Sequence, residues 1–209
     1  RRRVGAPRVA DLGAGSDAVS TMLRRRGARV VMVDARAAGL RSPCAPSPGA
    51  APIPLIQADL SCPLPLRDCA LDGLFAGEII EHLFDPAAFL LECRRVLVTG
   101  GELVVTTPNL ATLADRLRFL AGRSPRQINA SHPYLRLHIR PFTRSSLVRL
   151  FRECGFTPVG FRSNYWVLGG DLRAVYSRLL ARLLPSLGGS LILAGVKDAG
   201  QPGPARAAH

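Results

Sequence analysis

Two groups of residues in this sequence have types and spacings suited to chemistry. The first is Asp11-Leu12-Gly13-Ala14-Gly15-Ser16-Asp17, with Asp34 standing 21 residues beyond Gly13. Glycines directly after a buried strand let the backbone approach a ligand, and the N-terminus of a following helix offers N–H donors to an anion. A strand-to-helix turn needs glycine for its own geometry, so the turn alone says little. Asp34 adds to it, because a carboxylate at the end of the next strand can accept both hydroxyls of an adenosine ribose. The pair favours a nucleoside ligand. The second group is Glu78, Glu81 and His82. On a helical turn, positions i, i+3 and i+4 share a face, so the three side chains can converge. Three readings fit: a solvated, capped turn; His82 as general base for a substrate hydroxyl, since imidazole titrates near neutrality; or a carboxylate-and-imidazole site for a divalent ion. His132 or His138 could complete either of the last two.

These residues must be positioned by alternating strands and helices. Residues 8–12 form a short apolar run ended by glycines, and Ser16 or Asp17 can cap a helix that Gly27 closes. Residues 30–34 read as a buried strand. Five prolines between positions 39 and 54 predict a loop there. Strands are predicted over 53–59, 71–77 and 101–107, with a helix from Asp85-Pro86 to Val96 between the last two. Beyond Pro108-Asn109 the pattern predicts a helix over 110–120 and a polar stretch holding His132 and His138. A helix over 145–154 stopped by Gly155, a strand over 157–165, a helix over 172–184 and a strand over 190–197 follow. Such alternation predicts a doubly wound α/β sheet, in which ligands sit beyond the carboxyl ends of the strands near the topological switch point.

Composition narrows the possibilities. The 209 residues are a prior for one domain and can bury a core without staples. A hydrophobic content of 47% with 21% charged residues excludes a disordered or collagen-like chain. The longest apolar runs fall far short of a bilayer span, and no apolar stretch follows Arg1-Arg2-Arg3 to make a signal peptide. The net charge of +13 suggests a polyanionic partner, but of 28 basic residues only Lys197 is lysine. With abundant Ala, Gly and Pro, that points to a GC-rich coding bias. The arginines are scattered and no aromatic-lined groove accompanies them, which argues against nucleic acid. Five cysteines form no CxxC pair, so neither zinc nor disulfides are implied, and a reducing, cytoplasmic compartment fits best.

Two nucleoside classes compete for the first motif. Gly13 to Ala18 reads as the GxGxxA of dinucleotide folds, which would make a nicotinamide-dependent oxidoreductase. Asp11-Leu12-Gly13-Ala14-Gly15 also resembles the D-L-G-x-G of class I S-adenosylmethionine-dependent methyltransferases, and Asp11 favours the latter. Gln57-Ala58-Asp59-Leu60 is similar to the third-strand motif of that family, whose acid meets the adenine amino group. Residues 71–83 resemble its fourth strand and following turn, and Leu97-Val98-Thr99-Gly100-Gly101-Glu102-Leu103 its turn before the fifth strand. Thr106-Thr107-Pro108-Asn109 and His138-Ile139-Arg140-Pro141-Phe142-Thr143 are similar to segments of the subgroup containing ubiquinone-biosynthesis O-methyltransferases.

The resemblance runs from about residue 8 to 197. It implies a Rossmann-like, seven-stranded, mostly parallel sheet with helices on both faces and an antiparallel last strand, 190–197. It implies S-adenosyl-L-methionine as cofactor, held by Asp11, Gly13, Ala14, Gly15, Asp34, Ala35, Asp59, Leu60 and Gly77, with His82 as catalytic residue. Similar E-x-x-E-H segments bind Mg2+ in some relatives, so a metal remains open. The implied layout is one methyltransferase domain over 1–197, with a substrate cap at 110–142 and a flexible tail over 198–209. The acceptor would be a small or lipid-linked molecule. The cap helix, with Leu113, Leu117 and Leu120 beside Arg116, Arg118 and Arg123, is the better of two candidates for a peripheral membrane contact; the other is 172–184. Three departures stand out. Asp17 replaces a customary third glycine, near the place of the cofactor's carboxylate or as a helix cap. The proline-rich loop replaces a helix. The sequence opens on Arg1, about seven residues before the first strand, which suggests a fragment lacking preceding helices. A catalytically inactive partner subunit is the remaining alternative.

Overall fold

The apolar runs become the strands of a seven-stranded sheet and a separate two-stranded ribbon. A computed structural model describes residues 5–15, 17–36, 51–129, 131–133, 135–168 and 175–200. In chain order its elements are β1 (Arg8–Leu12), α1 (Ala18–Arg25), β2 (Arg29–Asp34), β3 (Leu55–Gln57), β4 (Leu71–Gly77) and a 3-10 turn, Ile80–His82. They continue with α2 (Pro86–Val96), β5 (Leu97–Pro108), α3 (Leu113–Leu120), a 3-10 turn at Leu135–Leu137, α4 (Arg144–Glu153) and β6 (Phe156–Arg162). A two-stranded ribbon of β7 (Trp166–Leu168) and β8 (Val175–Ser177), then α5 (Arg178–Leu183), a 3-10 turn at Pro185–Leu187 and β9 (Ser190–Lys197) complete it.

The main sheet has seven strands in the order β3-β2-β1-β4-β5-β9-β6, and β9 runs antiparallel to both its neighbours. The order reverses between β1 and β4. There Leu12 pairs with both Val33 of β2 and Ala76 of β4, while Gly77 pairs with Thr106 of β5. The residues following Leu12, Asp34, Gly77 and Thr106 therefore emerge along one edge, the expected place for a ligand.

Alternation fixes which face is core. In β9 every second residue is buried, and Leu191 and Leu193 join Leu103 and Val105 of β5 in the interior. Phe89, Leu90, Cys93 and Val96 of α2, with Leu147 and Phe151 of α4, cover them. Gly195 permits close packing here: a Cβ there would stand 2.7 Å from the Phe151 ring. Asp85 caps α2 by accepting from Ala88 N–H at 2.9 Å, with Pro86 in the first turn. A capping box between Thr143 and Ser146 starts α4.

Several boundaries differ from the sequence-based expectation. The helix predicted over 110–120 begins at Leu113, because Asn109 takes Ala111 N–H on Oδ1 and Thr112 caps the helix by accepting from Asp115 N–H. The helix predicted over 172–184 shrinks to α5. Val175, Tyr176 and Ser177 pair instead with Trp166–Leu168, as β-branched and aromatic residues favour, and Ser177 caps α5. Residues 37–50, which hold most of the predicted proline loop, lie outside the described residues, as do 169–174 and 201–209. The predicted strand 53–59 contracts to three residues at the sheet edge, 101–107 extends to all of β5, and 157–165 ends at Arg162. The start of the tail is tied down, since Asp198 N–H donates to Gly155 carbonyl at 3.2 Å. Among the described residues no helix is long and apolar enough to cross a membrane.

Candidate active site

The glycine turn after β1 is built for close approach. Gly13 has φ +67 and donates its N–H to Val33 carbonyl at 2.7 Å. A side chain there would collide with Ile79, whose side chain with that of Leu60 closes over the turn. Gly15 N–H donates to Asp34 Oδ2 at 3.0 Å, and Arg36 N–H to Asp34 Oδ1 at 2.9 Å. Asp34 is thus oriented by two backbone donors while each carboxylate oxygen keeps a second lone pair for a diol. Ala14 is half-buried between them, and Ala35 carbonyl accepts from Gln57 Nε2. Exposed Asp59 takes Ser61 N–H on Oδ1 at 2.8 Å, beside buried Leu60. Half-buried Gly77 ends β4 against the Phe75 ring.

Asp11 has a different setting. It is 2% exposed and accepts from Ser20 Oγ at 2.6 Å, tying β1 to α1. Burial raises its carboxyl pKa, the Ser20 bonds oppose that shift, and the nearby Asp34 charge adds to it. Asp17 takes Thr21 Oγ1 on one oxygen, leaves the other buried without a hydrogen-bond partner, and makes no side-chain cap to the α1 backbone. Its φ of −78 makes no demand for glycine.

The turn after β4 corrects the predicted convergence of Glu78, Glu81 and His82. Glu78 has φ +55, so the chain is not helical there, and only residues 80–82 form a 3-10 turn. Helical i, i+3, i+4 spacing does not apply. Glu78 Oε1 instead accepts from Thr106 Oγ1 at 3.0 Å, and burial raises its pKa. Glu81 and His82 meet His138, with one ligand atom of each lying within 4.8 Å of the others. Glu81 is 1% exposed; Oε2 accepts from Thr107 Oγ1 at 2.9 Å, and Oε1 has no hydrogen-bond partner. Burial, reinforced by Glu78, raises its carboxyl pKa to about 7. His82 Nδ1 donates to Leu137 carbonyl at 2.9 Å, which turns Nε2 towards Glu81 Oε1, 3.9 Å away. The His138 ring stands edge-on to His82, with centroids 4.9 Å apart; burial first, then the charges of His82 and His132, lowers its pKa. His132 accepts from Leu135 N–H on Nδ1 and stays out of the cluster.

A cavity of about 10 Å³, lined by Glu81, Gln127, His138, Pro108, Leu110 and Pro141, adjoins this cluster. That is room for about one water. Gln127 Oε1 is buried there without a hydrogen-bond partner. Two unsatisfied buried oxygens beside two imidazoles fit a small divalent cation, and the Nδ1 bond of His82 is the kind that orients a ligating imidazole. Gln127, Thr106 and Thr107 are functional candidates that motif spacing does not single out. The last two lie in a segment that carries the family resemblance, but Gln127 has no local signal.

Residues 10–105 match the family model described as a methyltransferase domain. That stretch, just under half of the chain, is similar to a methyltransferase domain. A probable S-adenosylmethionine-dependent methyltransferase of Mycobacterium tuberculosis is 36% identical over 107 residues, covering 51% of this chain and 34% of that protein. A ubiquinone biosynthesis O-methyltransferase of Xylella fastidiosa is 32% identical over 130 residues, covering 58% of this chain and 50% of that one. The match thus spans a third to a half of the relatives' length. A crystal structure of a putative methyltransferase from Bacillus halodurans superposes with a TM-score of 0.66 at 17% identity, covering 95% of each chain. The antiparallel β9 lies between β5 and β6, as the methyltransferase resemblance implied, and the match over residues 10–105 favours that reading of Gly13 to Ala18 over the dinucleotide one.

Proposed function

We propose that this chain transfers the methyl group of S-adenosylmethionine to an oxygen of a small or lipid-linked acceptor. The observation that carries the reading is Asp34, held by Gly15 and Arg36 N–H groups at the switch point of the sheet and aimed to take a ribose diol. Ala14, Ala35, Asp59, Leu60 and Gly77 line the same edge and would complete the cofactor's bed. Asp11, under the turn, would act by holding α1 in place.

Methyl transfer moves the acceptor oxygen's electron pair to the methyl carbon as the carbon–sulfur bond breaks and its pair returns to sulfur. In-line positioning supplies most of the rate. The acceptor's proton must leave, and His82 is suited to accept it. With Nδ1–H committed to Leu137, its Nε2 carries the free lone pair. Glu81, His82 and His138 also fit a divalent cation, which would supply Lewis acidity to the acceptor hydroxyl. Two features support lipid-linked acceptors: Leu117, Phe119 and Leu120 of α3 are exposed beside Arg116 and Arg118, and Phe84, Leu137 and Ile139 are exposed around His82. The described cysteines are free, in keeping with a reducing, cytoplasmic setting.

Calorimetry with S-adenosylhomocysteine and NAD side by side tests the cofactor. S-adenosylhomocysteine should bind, and Asp34→Ala should weaken it about tenfold to a hundredfold, the worth of hydrogen bonds to a charged acceptor. Preference for NAD, or indifference to the substitution, overturns the reading. Methyl transfer by wild type, Glu78→Gln, Glu81→Gln and His82→Ala, with and without EDTA, separates base from ligand. As a base His82 contributes a factor of about 10²–10⁴ that ignores chelator. As a ligand it makes activity depend on Mg2+, and Glu81→Gln is nearly as damaging. Near-normal turnover of His82→Ala removes both roles.

A further inference from the structure

The cap has a second concave face that the methyl-transfer site does not use. A groove of about 350 Å³ is lined by Arg116 of α3, by Thr143, Arg144, Ser145 and Val148 at the start of α4, and by Ser186 of the last 3-10 turn. Its walls are held in register by hydrogen bonds: Leu110 N–H donates to Phe142 carbonyl at 2.8 Å, and Asn109 Nδ2 donates to Ser186 and Gly188 carbonyls. The two guanidiniums are fixed without being neutralised. Arg116 Nε donates to Ala111 carbonyl at 2.9 Å, and the Arg144 guanidinium lies over the Phe161 ring, 4.8 Å from its centroid. Among the described residues neither has a carboxylate partner. Both keep forked Nη donors for a tetrahedral oxyanion, and three hydroxyls line the same groove.

We propose that this groove binds a phosphoryl group. It rests on the methyltransferase reading only in assigning that group to the acceptor, either as the phosphate of a lipid headgroup or as a phosphomonoester on a soluble molecule. The groove lies between α3, the start of α4 and the last 3-10 turn, so a phosphoryl group held there would anchor the acceptor at the side of the cap.

The experiment is an inorganic phosphate titration of the 15N-labelled protein. Amide shifts should move at Arg116, Thr143, Arg144, Ser145 and Ser186 and saturate together. Arg144→Gln should weaken binding about tenfold, as loss of a charged donor does. Arg149→Gln, an exposed residue of the same helix paired with Glu153, should change nothing. S-adenosylhomocysteine affinity should be unaltered in Arg144→Gln, which separates failure here from failure of the methyltransferase reading. Glycerol 3-phosphate and vesicles of phosphatidylcholine with one-fifth phosphatidic acid then identify the source. Competition by the first alone assigns a soluble acceptor, and sedimentation lost with Arg144→Gln assigns a lipid. Shifts scattered over the arginine surface, an equal effect of Arg149→Gln, or no saturation overturns the site.

Discussion

Glu81 is a buried carboxyl with one oxygen lacking a hydrogen-bond partner, and that makes it a pH-dependent element of stability. Its folded-state pKa, about 7, lies above its ordinary value of 4.5 because burial disfavours the charged form. The folded protein therefore keeps this proton longer than the unfolded chain. The favourable contribution is whole below pH 4.5 and is lost as pH rises through 7. The shift corresponds to about 3 kcal/mol between those limits. Urea unfolding in EDTA from pH 5 to 8 should show wild-type stability falling relative to Glu81→Gln by up to that amount. Parallel curves would mean that the carboxylate is ionised and compensated throughout. At this scale the sequence was partly legible. Gly13, Gly15 and Asp34 announce themselves because a strand-ending turn and a strand-ending acid are local features. The partners of Glu81 do not: His138 and Gln127 arrive from the stretch between β5 and α4, and the left-handed backbone of Glu78 removes it from the cluster that helical spacing implied.

Among the elements, α3 carries the clearest functional consequence. It buries Asp115, whose carboxylate takes Thr112 Oγ1 and Arg126 N–H, and it leaves Leu117, Phe119 and Leu120 in solvent. A short helix with its apolar side uncovered and arginines at its flanks suits the surface of an anionic bilayer. Each arginine near such a surface is worth about 1 kcal/mol, so replacing Arg116 and Arg118 with glutamate should cut binding to phosphatidylglycerol vesicles by well over tenfold. Co-sedimentation measures it, and equal binding by the double variant would remove α3 from the contact. The length of α3 was not legible because Asn109 and Thr112 set its start through side-chain bonds, which apolar spacing does not report. The 172–184 helix failed for a related reason. Its leucines do recur at helical intervals, but Val175 to Ser177 have strand partners in Trp166–Leu168 that no local pattern reveals. The parallel strands were legible because both faces are covered and their apolar runs are continuous.

At the scale of the molecule, the cofactor edge and the Glu81 cluster hang from one sheet, so ligands that bind there stabilise the fold as a whole. S-adenosylhomocysteine at a hundred times its Kd should add about 2.7 kcal/mol. For a domain of roughly 150–250 residues that is a rise of about 5–10 °C in melting temperature. Asp34→Ala, if it weakens binding tenfold, should reduce the gain at the same ligand concentration to about 1.4 kcal/mol, half the shift. NAD should give none. Mg2+ supplies an independent test of the second site, because its ligands would be Glu81, His82 and His138 while the ribose hydroxyls would be accepted by Asp34. A divalent cation held by the cluster should raise the melting temperature of wild type and not of Glu81→Gln, and both proteins should keep the full shift with S-adenosylhomocysteine. A Mg2+ shift that survives Glu81→Gln would place the ion elsewhere and leave His82 as base alone. If Glu81→Gln abolished both shifts, the two sites would be coupled through the turn that Ile79 packs over Gly13.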